Sequence, residues 1–527
     1  MNIIITGMPG SGKTTVGRLL SKSLNLKFVD LDEYIEKKTN LRIREIFSKY
    51  GESYFRELEG KACEELAKKN DHIISTGGKT LLFKKNLNLF LSSSLIITLL
   101  CKPEKIIKRL KNGYKTRPLL SLNPSESILK IYEERISKYS NFPNKIETDN
   151  LKPEEVVKKI LNILEGREKK FNIRVNNKDS LIFIKKGLLN NLGFYIRRIY
   201  KGKEIFILID KKILDLYGKK ILNNLRENDL EPKIYIISSK EKNKNFNKAK
   251  RIYSWLIGEK AHRSSLFLCI GGGIISDLGG FIASTYHRGM KLINIPTTLL
   301  SQIDASIGGK NGVNFEGIKN QIGTIYFPEA ILIDPLFLIS LKNSQMKEGV
   351  VEALKAGVIG DPELFKLIKN HCFELLFKDL NLLEELICRA IHVKLSIVRK
   401  DAYEKNLRRF LNLGHTFAHA LESYFNYKIS HGKAVGLGLI SAFKLGVLLN
   451  ICSEHHLLEI RKILNNIGLP VKIKTFDILE VISLMHYDKK REEENIPFII
   501  PKDIGKVEIK NNISMEYIEK CLKEILK

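Results

Sequence analysis

The sequence predicts an α/β chain in three units: a small parallel-sheet domain over residues 1–165, a Rossmann-like α/β domain over 171–334, and a mainly helical domain over 335–527. Three observations lead there. Short apolar runs alternate with amphipathic helical segments through the first two units, the pattern of a parallel sheet covered on both faces. The charged string EGREKKFN at 165–172 interrupts that alternation. Beyond about residue 335 strand signals almost vanish and helical periodicity takes over, as in ICRAIHVKLSIVRK and AVGLGLISAFKLGVLLN. In the first unit NIIIT, KFVD, HIIST and LIITLL read as buried strands, and in the second IFILI, KIYII and LFLCI, with helices near 211–226 and 246–259. No internal repeat joins the two. The 527 residues, 43% of them hydrophobic, suffice for several cores.

Composition narrows the class further. No apolar run is long enough to span a bilayer, and Met1 leads straight into a strand pattern, so neither a membrane span nor a secretory signal is expected. Seven scattered cysteines without a C-x-x-C pair fit a reducing cytoplasm. Lys and Arg number 88 against 59 Asp and Glu, giving a formal +29. Such charge can serve nucleic acid, but the lysines are spread along the chain without a base-stacking or groove-reading module. A solvated basic surface, welcoming to small anionic substrates, is the expectation, with no nucleic-acid or membrane partner.

Directly after the first strand, Gly7-Met-Pro-Gly10-Ser11-Gly12-Lys13-Thr14-Thr15 matches G-x-x-x-x-G-K-[ST]. Glycines turn backbone N–H groups onto phosphates at a helix start, Lys13 reaches the outer phosphates and Thr14 can ligate Mg²⁺. The next strand runs into Asp30-Leu-Asp32, and strand alternation would set both carboxylates on one side. One can hold the water shell of Mg²⁺ and the other orient or deprotonate a hydroxyl. Arg56 in GESYFRELE suits bidentate capture of a carboxylate.

With FVDLDEYIE, IREIF, GESYFRELE, STGG, RPLL at Arg117–Leu120, and Arg135 followed by Tyr139 in order, residues 1–165 resemble shikimate kinase. The resemblance implies a P-loop kinase in which Asp32 and Arg56 hold the hydroxyl and carboxylate of shikimate. Gly78 and Arg135 would join them, and Arg117 would lie in a lid over ATP. Asp30 would reach Mg²⁺ through water. Where the family usually has three glycines, this chain has Gly77, Gly78 and Lys79, which puts bulk and positive charge beside the pocket.

In the second unit LFLCI runs into Gly271-Gly272-Gly273-Ile274 and then Asp277, a turn that allows a pyrophosphate to approach a helix start. IPTTLLSQIDASIGGK supplies Thr297, Thr298, Asp304 and Lys310, and GIKNQIG supplies Lys319 and Asn320. His415 and His419 lie four apart, on one helix face, and His431 follows. Three histidines so close suit zinc, and spacing alone nominates His415 and His419 as joint ligands without excluding that one only supports the site.

STYHRG, PTTLLSQIDASIGGK, KNQIG, EGVVEALKAG, RRFLNLGHTFAHALE, HGKAVG and DKK occur in order, and residues 171–527 are similar to 3-dehydroquinate synthase. The resemblance implies an NAD-binding α/β domain followed by a helical metal-binding domain. It assigns Zn²⁺ (or Co²⁺) to Glu352, His415 and His431, and leaves His419 beside substrate. NAD would be touched by Asp210, Glu241, Lys244, the Gly272-Gly273-Ile274 turn, Asp277, Thr297, Thr298, Lys310 and Lys319. Substrate would meet Arg288, Asp304, Asn320, Lys355, Lys394, Arg408, Asn412 and either Lys489 or Lys490. Lys310, Lys355, Arg408, Asn412 and His419 are the catalytic candidates there, as Lys13, Asp32 and Arg117 are in the kinase unit. Ser239-Lys240-Glu241 departs from the glycine that commonly precedes this Glu-x-x-Lys element.

The implied substrate, 3-deoxy-D-arabino-heptulosonate 7-phosphate, is doubly anionic, which rationalises Lys310, Lys355, Lys394, Arg288 and Arg408 in one pocket. NAD would take a hydride and return it, and phosphate would leave in between. A homodimer through the synthase half is expected from the same resemblance. Two rivals differ in chemistry: a glycerol-dehydrogenase-like oxidoreductase would release NADH, and a nucleic-acid-binding P-loop ATPase would show DNA-stimulated hydrolysis.

Overall fold

The computed structural model describes residues 2–91, 94–110, 124–139, 142, 144–175, 178–316, 318–404, 406–489 and 496–527, without the side chains of 124–125, 178 and 486–489. Arg117, Lys490 and the side chain of Lys489 therefore lie outside the described residues. The chain clusters into two compact units, the first Met1–Gly166 together with Ile339–Asn343 and Phe377–Leu382, the second holding the remainder.

The first unit carries a five-stranded sheet of β1 (Asn2–Gly7), β2 (Lys27–Asp30), β3 (His72–Ser75), β4 (Ser94–Leu100) and β5 (Lys145–Glu147) in the order β2-β3-β1-β4-β5. All its pairings are parallel. Every residue of β1 is buried, as two-sided helix cover requires. Because the strands run one way, the phosphate loop after β1, the acidic turn after β2 and the Thr76–Lys79 turn after β3 all emerge at one edge.

The second unit has a seven-stranded sheet of β6 (Lys169–Val175), β7 (Lys178–Ile184), β8 (Glu204–Asp210), β9 (Glu231–Ile237), β10 (Leu266–Gly271), β11 (Lys291–Pro296) and a later strand, Ala330–Ile333. Its order is β6-β7-(330–333)-β11-β10-β8-β9, and β6 alone is shown antiparallel to its neighbour. The ends of β8, β10 and β11 deliver Asp210, Gly271–Gly273 and Thr297–Thr298 to one edge. A hairpin, β12 (Lys310–Phe315) with β13 (Ile318–Ile325), carries Lys310, Lys319 and Asn320. The remaining helices include Asn343–Gly360, Leu380–Val398, His415–Tyr424 and His431–Leu448. Among the described residues no helix is long and apolar enough to cross a membrane.

The expected strands and the helices at Lys211–Arg226 and Phe246–Gly258 are present. Two features differ. A second hairpin, Phe498–Asp503 with Lys506–Lys510, interrupts the helical region, its buried first strand FIIP being too short to stand out by periodicity. Strand alternation also does not govern Asp30 and Asp32. β2 stops at Asp30, which caps the helix Leu31–Thr39 by accepting from Asp32 N, so Asp32 lies in the first helical turn.

The helix after the glycine turn, Gly273–Thr285, packs without room for side chains at two positions. A Cβ on Gly279 would lie 2.1 Å from Cys269 Sγ, and one on Gly280 would lie 1.8 Å from Asn311 Oδ1. Asn311 cannot retreat freely, since its Nδ2 donates to Gly309 O and Tyr326 O at 2.7 and 3.0 Å. Gly280→Ala is expected to lower the stability of the second unit by about 1–3 kcal/mol, read from its urea midpoint; an unchanged midpoint would show that the contact yields.

Candidate active sites

In the first unit the phosphate loop holds Gly10 at φ 81° and Gly12 at φ 97°, a left-handed geometry that glycine alone adopts without strain. Gly12 caps the helix Lys13–Leu24. Lys13 Nζ donates back to Gly7 O and Met8 O at 3.1 and 3.0 Å, which aims the ammonium along the loop. Ser11 Oγ is buried and makes no hydrogen bond, a donor held in reserve where a phosphate would sit. Thr14 Oγ1 donates to Asp30 Oδ2 at 2.8 Å, so the two groups nominated for a divalent cation are neighbours.

Asp32 has a buried Oδ1 without a hydrogen-bond partner. Burial raises its carboxyl pKa to about 6, with the negative charges of Asp30 and Glu59 adding to the rise and Lys13 opposing it. Gly77 makes this crowding possible: a Cβ there would lie 3.3 Å from Asp32 Oδ1 and 3.2 Å from Glu59 Oε1. Arg56 Nη1 donates to Glu59 Oε2 at 2.9 Å, and Glu59 also accepts from Thr80 Oγ1 at 2.5 Å. Arg135 Nη1 donates to Gly78 O at 3.0 Å, and Tyr139 Oη donates to the same oxygen. Asp32, Arg56, Gly78 and Arg135 thus share one carboxyl-edge cleft. Glu52 and Glu59 are the partners that sequence reasoning did not single out, although both stand in GESYFRELE.

In the second unit, Asp210 accepts from Lys212 N and Ser239 N, each at 2.8 Å, and ties the 238–244 loop to the end of β8. Lys240 lies in that loop, and the next residue, Glu241, accepts from Asn314 Nδ2 at 2.8 Å. Buried Lys244 donates to Asp277 and Asn320. Thr298 packs against Gly272, whose Cβ would lie 3.1 Å from the threonine methyl. Asp210, the Gly271–Gly273 turn and Thr297–Thr298 thus stand at neighbouring strand ends, with Glu241 and Lys244 on the adjoining loop. Lys319 is placed elsewhere: its Nζ lies 3.6 Å from Glu422 Oε1 and 4.3 Å from the Tyr427 ring centre.

One ligand atom each from Glu352, His415 and His431 falls within 4.8 Å of the others. Glu352 Oε1 is 3.2 Å from His431 Nε2 and 3.5 Å from His415 Nε2. The other ring nitrogens are engaged, His415 Nδ1 with Leu413 O at 3.2 Å and His431 Nδ1 with Glu422 Oε1 at 3.3 Å. That leaves both Nε2 atoms to converge on the carboxylate, a nitrogen and oxygen donor set suited to zinc. His419 stacks edge-on to His415 at 5.3 Å between ring centres and is not part of the convergent set, so the pairing that spacing suggested gives way to the acid and two histidines. Burial and the Lys355 ammonium push His415 down to about 3. Burial also opposes a charge on His431, but its hydrogen bonds to Glu352 and Glu422 raise it to about 10.

Beside this cluster lie buried cations. Lys355 Nζ pairs with Glu352 Oε2 at 2.6 Å, and Lys394 Nζ donates to Asp304 O at 2.6 Å and to its carboxylate. Arg408, 2% exposed, donates to Gly308 O at 2.8 Å and Ala402 O at 2.5 Å. Burial lowers the pKa of both Lys394 and Arg408, and their mutual proximity adds to the Lys394 shift. Glu404, which no sequence signal marked, links Lys310 to Asn412, whose Nδ2 donates at 3.3 Å. Arg288 is exposed on a turn with His287 at φ 50° and Arg288 itself at φ 60°.

Residues 234–348 match the 3-dehydroquinate synthase N-terminal family and 349–491 its C-terminal family. The chain is 39% identical over 345 residues to 3-dehydroquinate synthase from Alkaliphilus oremlandii, covering 65% of this chain and 94% of that one. The chain belongs to the 3-dehydroquinate synthase family. The synthase of Clostridium botulinum is 36% identical over 348 residues, 65% of this chain and 98% of that one. A solved structure of 2-epi-5-epi-valiolone synthase from Streptomyces hygroscopicus, with NAD⁺ and Zn²⁺ bound, is 26% identical with a TM-score of 0.63, covering 67% of this chain and 98% of that chain. Residues 9–165 match the shikimate kinase family. The synthase thus carries a kinase domain ahead of it, and the protein is a bifunctional enzyme of the shikimate pathway, a phosphotransferase and a lyase in one chain.

If Asp32 must be ionised to accept a proton, kcat/KM for shikimate is expected to fall as pH drops through about 6. Linkage has the opposite sign for stability. A carboxyl raised on folding favours the folded unit at low pH, and that contribution is lost as pH rises through about 6. Asp32→Asn is therefore expected to raise the melting temperature at pH 8 and leave it nearly unchanged at pH 4, and a flat pH–rate profile would remove Asp32 as the base.

Proposed function

We propose that the first unit phosphorylates shikimate with Mg²⁺-ATP through the groups just described. The Gly10–Thr15 loop takes the phosphates of ATP, with Lys13 on the outer ones. Thr14 and, through water, Asp30 would hold Mg²⁺, whose role is to neutralise charge on the transferring phosphoryl group. Asp32 accepts the proton of the attacking hydroxyl, and its elevated pKa suits it to that task near neutrality. Arg56 and Arg135 grip the carboxylate and a hydroxyl beside the Gly78 backbone. The adjacency of Thr14, Asp30 and Asp32 at one sheet edge is what supports this assignment.

The second unit converts 3-deoxy-D-arabino-heptulosonate 7-phosphate to 3-dehydroquinate and phosphate. NAD would lie along Asp210, Glu241, Lys244, the Gly272-Gly273-Ile274 turn, Asp277, Thr297, Thr298 and Lys310, and it supplies a hydride acceptor that is regenerated in the cycle. Glu352, His415 and His431 would hold zinc, which acidifies a bound hydroxyl. Lys355, Lys394 and Arg408 bind the substrate's anionic groups, assisted by Asp304 and Asn320. Asn412 and His419 position the protons that move during elimination and ring closure. The observation that carries the reading is the convergence of the acid and two imidazoles beside three buried cations, of which Lys355 and Lys394 are held by Glu352 and Asp304 and Arg408 by backbone carbonyls. Arg288 and one of Lys489 and Lys490 complete the substrate set on the family resemblance alone, as does a homodimer through the synthase half.

Small-molecule substrates account for both clefts, and the seven free cysteines fit a cytoplasmic setting. The NAD⁺- and zinc-bound neighbour performs a synthase reaction, which favours this reading over an NADH-releasing dehydrogenase.

A coupled assay on the full chain separates the halves. Metal stripping with a chelator should abolish phosphate release from the heptulosonate phosphate, while shikimate-dependent ADP formation returns once Mg²⁺ is restored. His415→Ala is expected to remove at least about 99% of the synthase rate and to spare the kinase. Equal loss of both activities, or steady NADH accumulation with glycerol, would contradict the assignment.

A further inference from the structure

Arg56 presents its bidentate edge to a carboxylate of its own chain. Its Nε and Nη2 both donate to a single oxygen, Glu52 Oε1, at 3.1 and 3.0 Å, while Nη1 holds Glu59. The two acids differ in freedom. Glu59 is 1% exposed and fixed by Thr80, whereas the Glu52 side chain is 47% exposed. Glu52 also directly follows Gly51, whose φ of 79° and ψ of 174° break the helix Ile43–Ala67 into two segments. The acid on the bidentate edge is therefore the one able to leave.

A destination for it already exists. Lys79 Nζ lies 3.2 Å from the same Glu52 oxygen. The Lys79 ammonium and the Arg56 guanidinium also sit 5.9 and 5.4 Å from the centre of one ring, Phe83, so both cations gather around Glu52 and that ring. One guanidinium edge cannot pair bidentately with two carboxylates at once. A carboxylate substrate must displace Glu52, and a displaced Glu52 with no cation of its own would repel the newcomer.

We propose that Glu52 is a resident stand-in for the substrate carboxylate on Arg56, and that Lys79 is a positioning residue that takes Glu52 over when shikimate binds. The substitution of lysine for the third glycine thus serves binding of the acid, not the phosphoryl transfer. This rests on the reading that Arg56 grips the shikimate carboxylate.

Steady-state kinetics on the full chain, with shikimate varied at saturating Mg²⁺-ATP, test it. Lys79→Met is expected to raise KM for shikimate roughly two- to fivefold, the scale of a partly exposed ion pair, with kcat and the KM for ATP unchanged. Lys79→Arg should restore the original KM. Glu52→Gln should lower KM, and in that background Lys79→Met should have no further effect. If Lys79→Met raises KM equally with and without Glu52→Gln, Lys79 meets substrate directly and the hand-over is wrong. If it changes KM in neither background, or changes kcat instead, the proposal also fails. Arg56→Ala is the separate control: an unchanged KM there would remove the carboxylate reading itself, whatever Lys79 does. The KM for ATP reports whether the kinase unit of each variant is folded.

Discussion

Charge taken out of water must be answered by charge of the opposite sign, and the second unit is arranged around one such debt. Glu352 is 2% exposed on the helix Asn343–Gly360, where an isolated carboxylate would be severely destabilising. Lys355 one turn on, His415 and His431 all turn toward it, and together they hold its pKa well below the ordinary carboxylate range against the effect of burial. The same acid thereby fixes where three separate helices bring their site residues. His431 in turn leans on Glu422, and Glu422 faces Lys319 from the hairpin, so the ion-pair chain extends from the helical region to the α/β region.

The kinase unit meets a related problem. Asp30, Asp32 and Glu59 crowd one sheet edge, where Lys13 opposes the charge on Asp32 and Arg56 pairs with Glu59. Neither cleft is electrically quiet. Asp32 keeps an unpartnered oxygen and Ser11 an unpartnered hydroxyl, both inside the protein, where unsatisfied polar groups are scarce. Such groups are tolerated where a ligand is meant to complete them.

Much of this was legible in the sequence because the chemistry is local. The phosphate loop, the glycine turn after LFLCI and the strands that precede them need only a few contiguous residues, and parallel strands then carry those loops to one edge. The acid and histidine triad needed the family resemblance, since Glu352 is remote from both histidines and spacing alone favours His415 with His419. Supporting carboxylates were harder. Glu422 had a signal, standing two helical turns after His415 on the same face, but Glu404 reaches Lys310 and Asn412 from a stretch with no pattern. Asp32 was assigned to a strand because capping by Asp30, which starts the helix one residue later, depends on backbone geometry that alternation does not record.

The central claim is that Glu352, His415 and His431 form the metal centre of the synthase. Anomalous diffraction above and below the zinc edge, on crystals of the full chain grown with zinc and NAD⁺, tests it most directly. A single strong peak within bonding distance of Glu352 Oε1 and the two Nε2 atoms is the result this account predicts. A peak at the surface group of His456, Glu459 and Asp503 instead, with none at the triad, would contradict it.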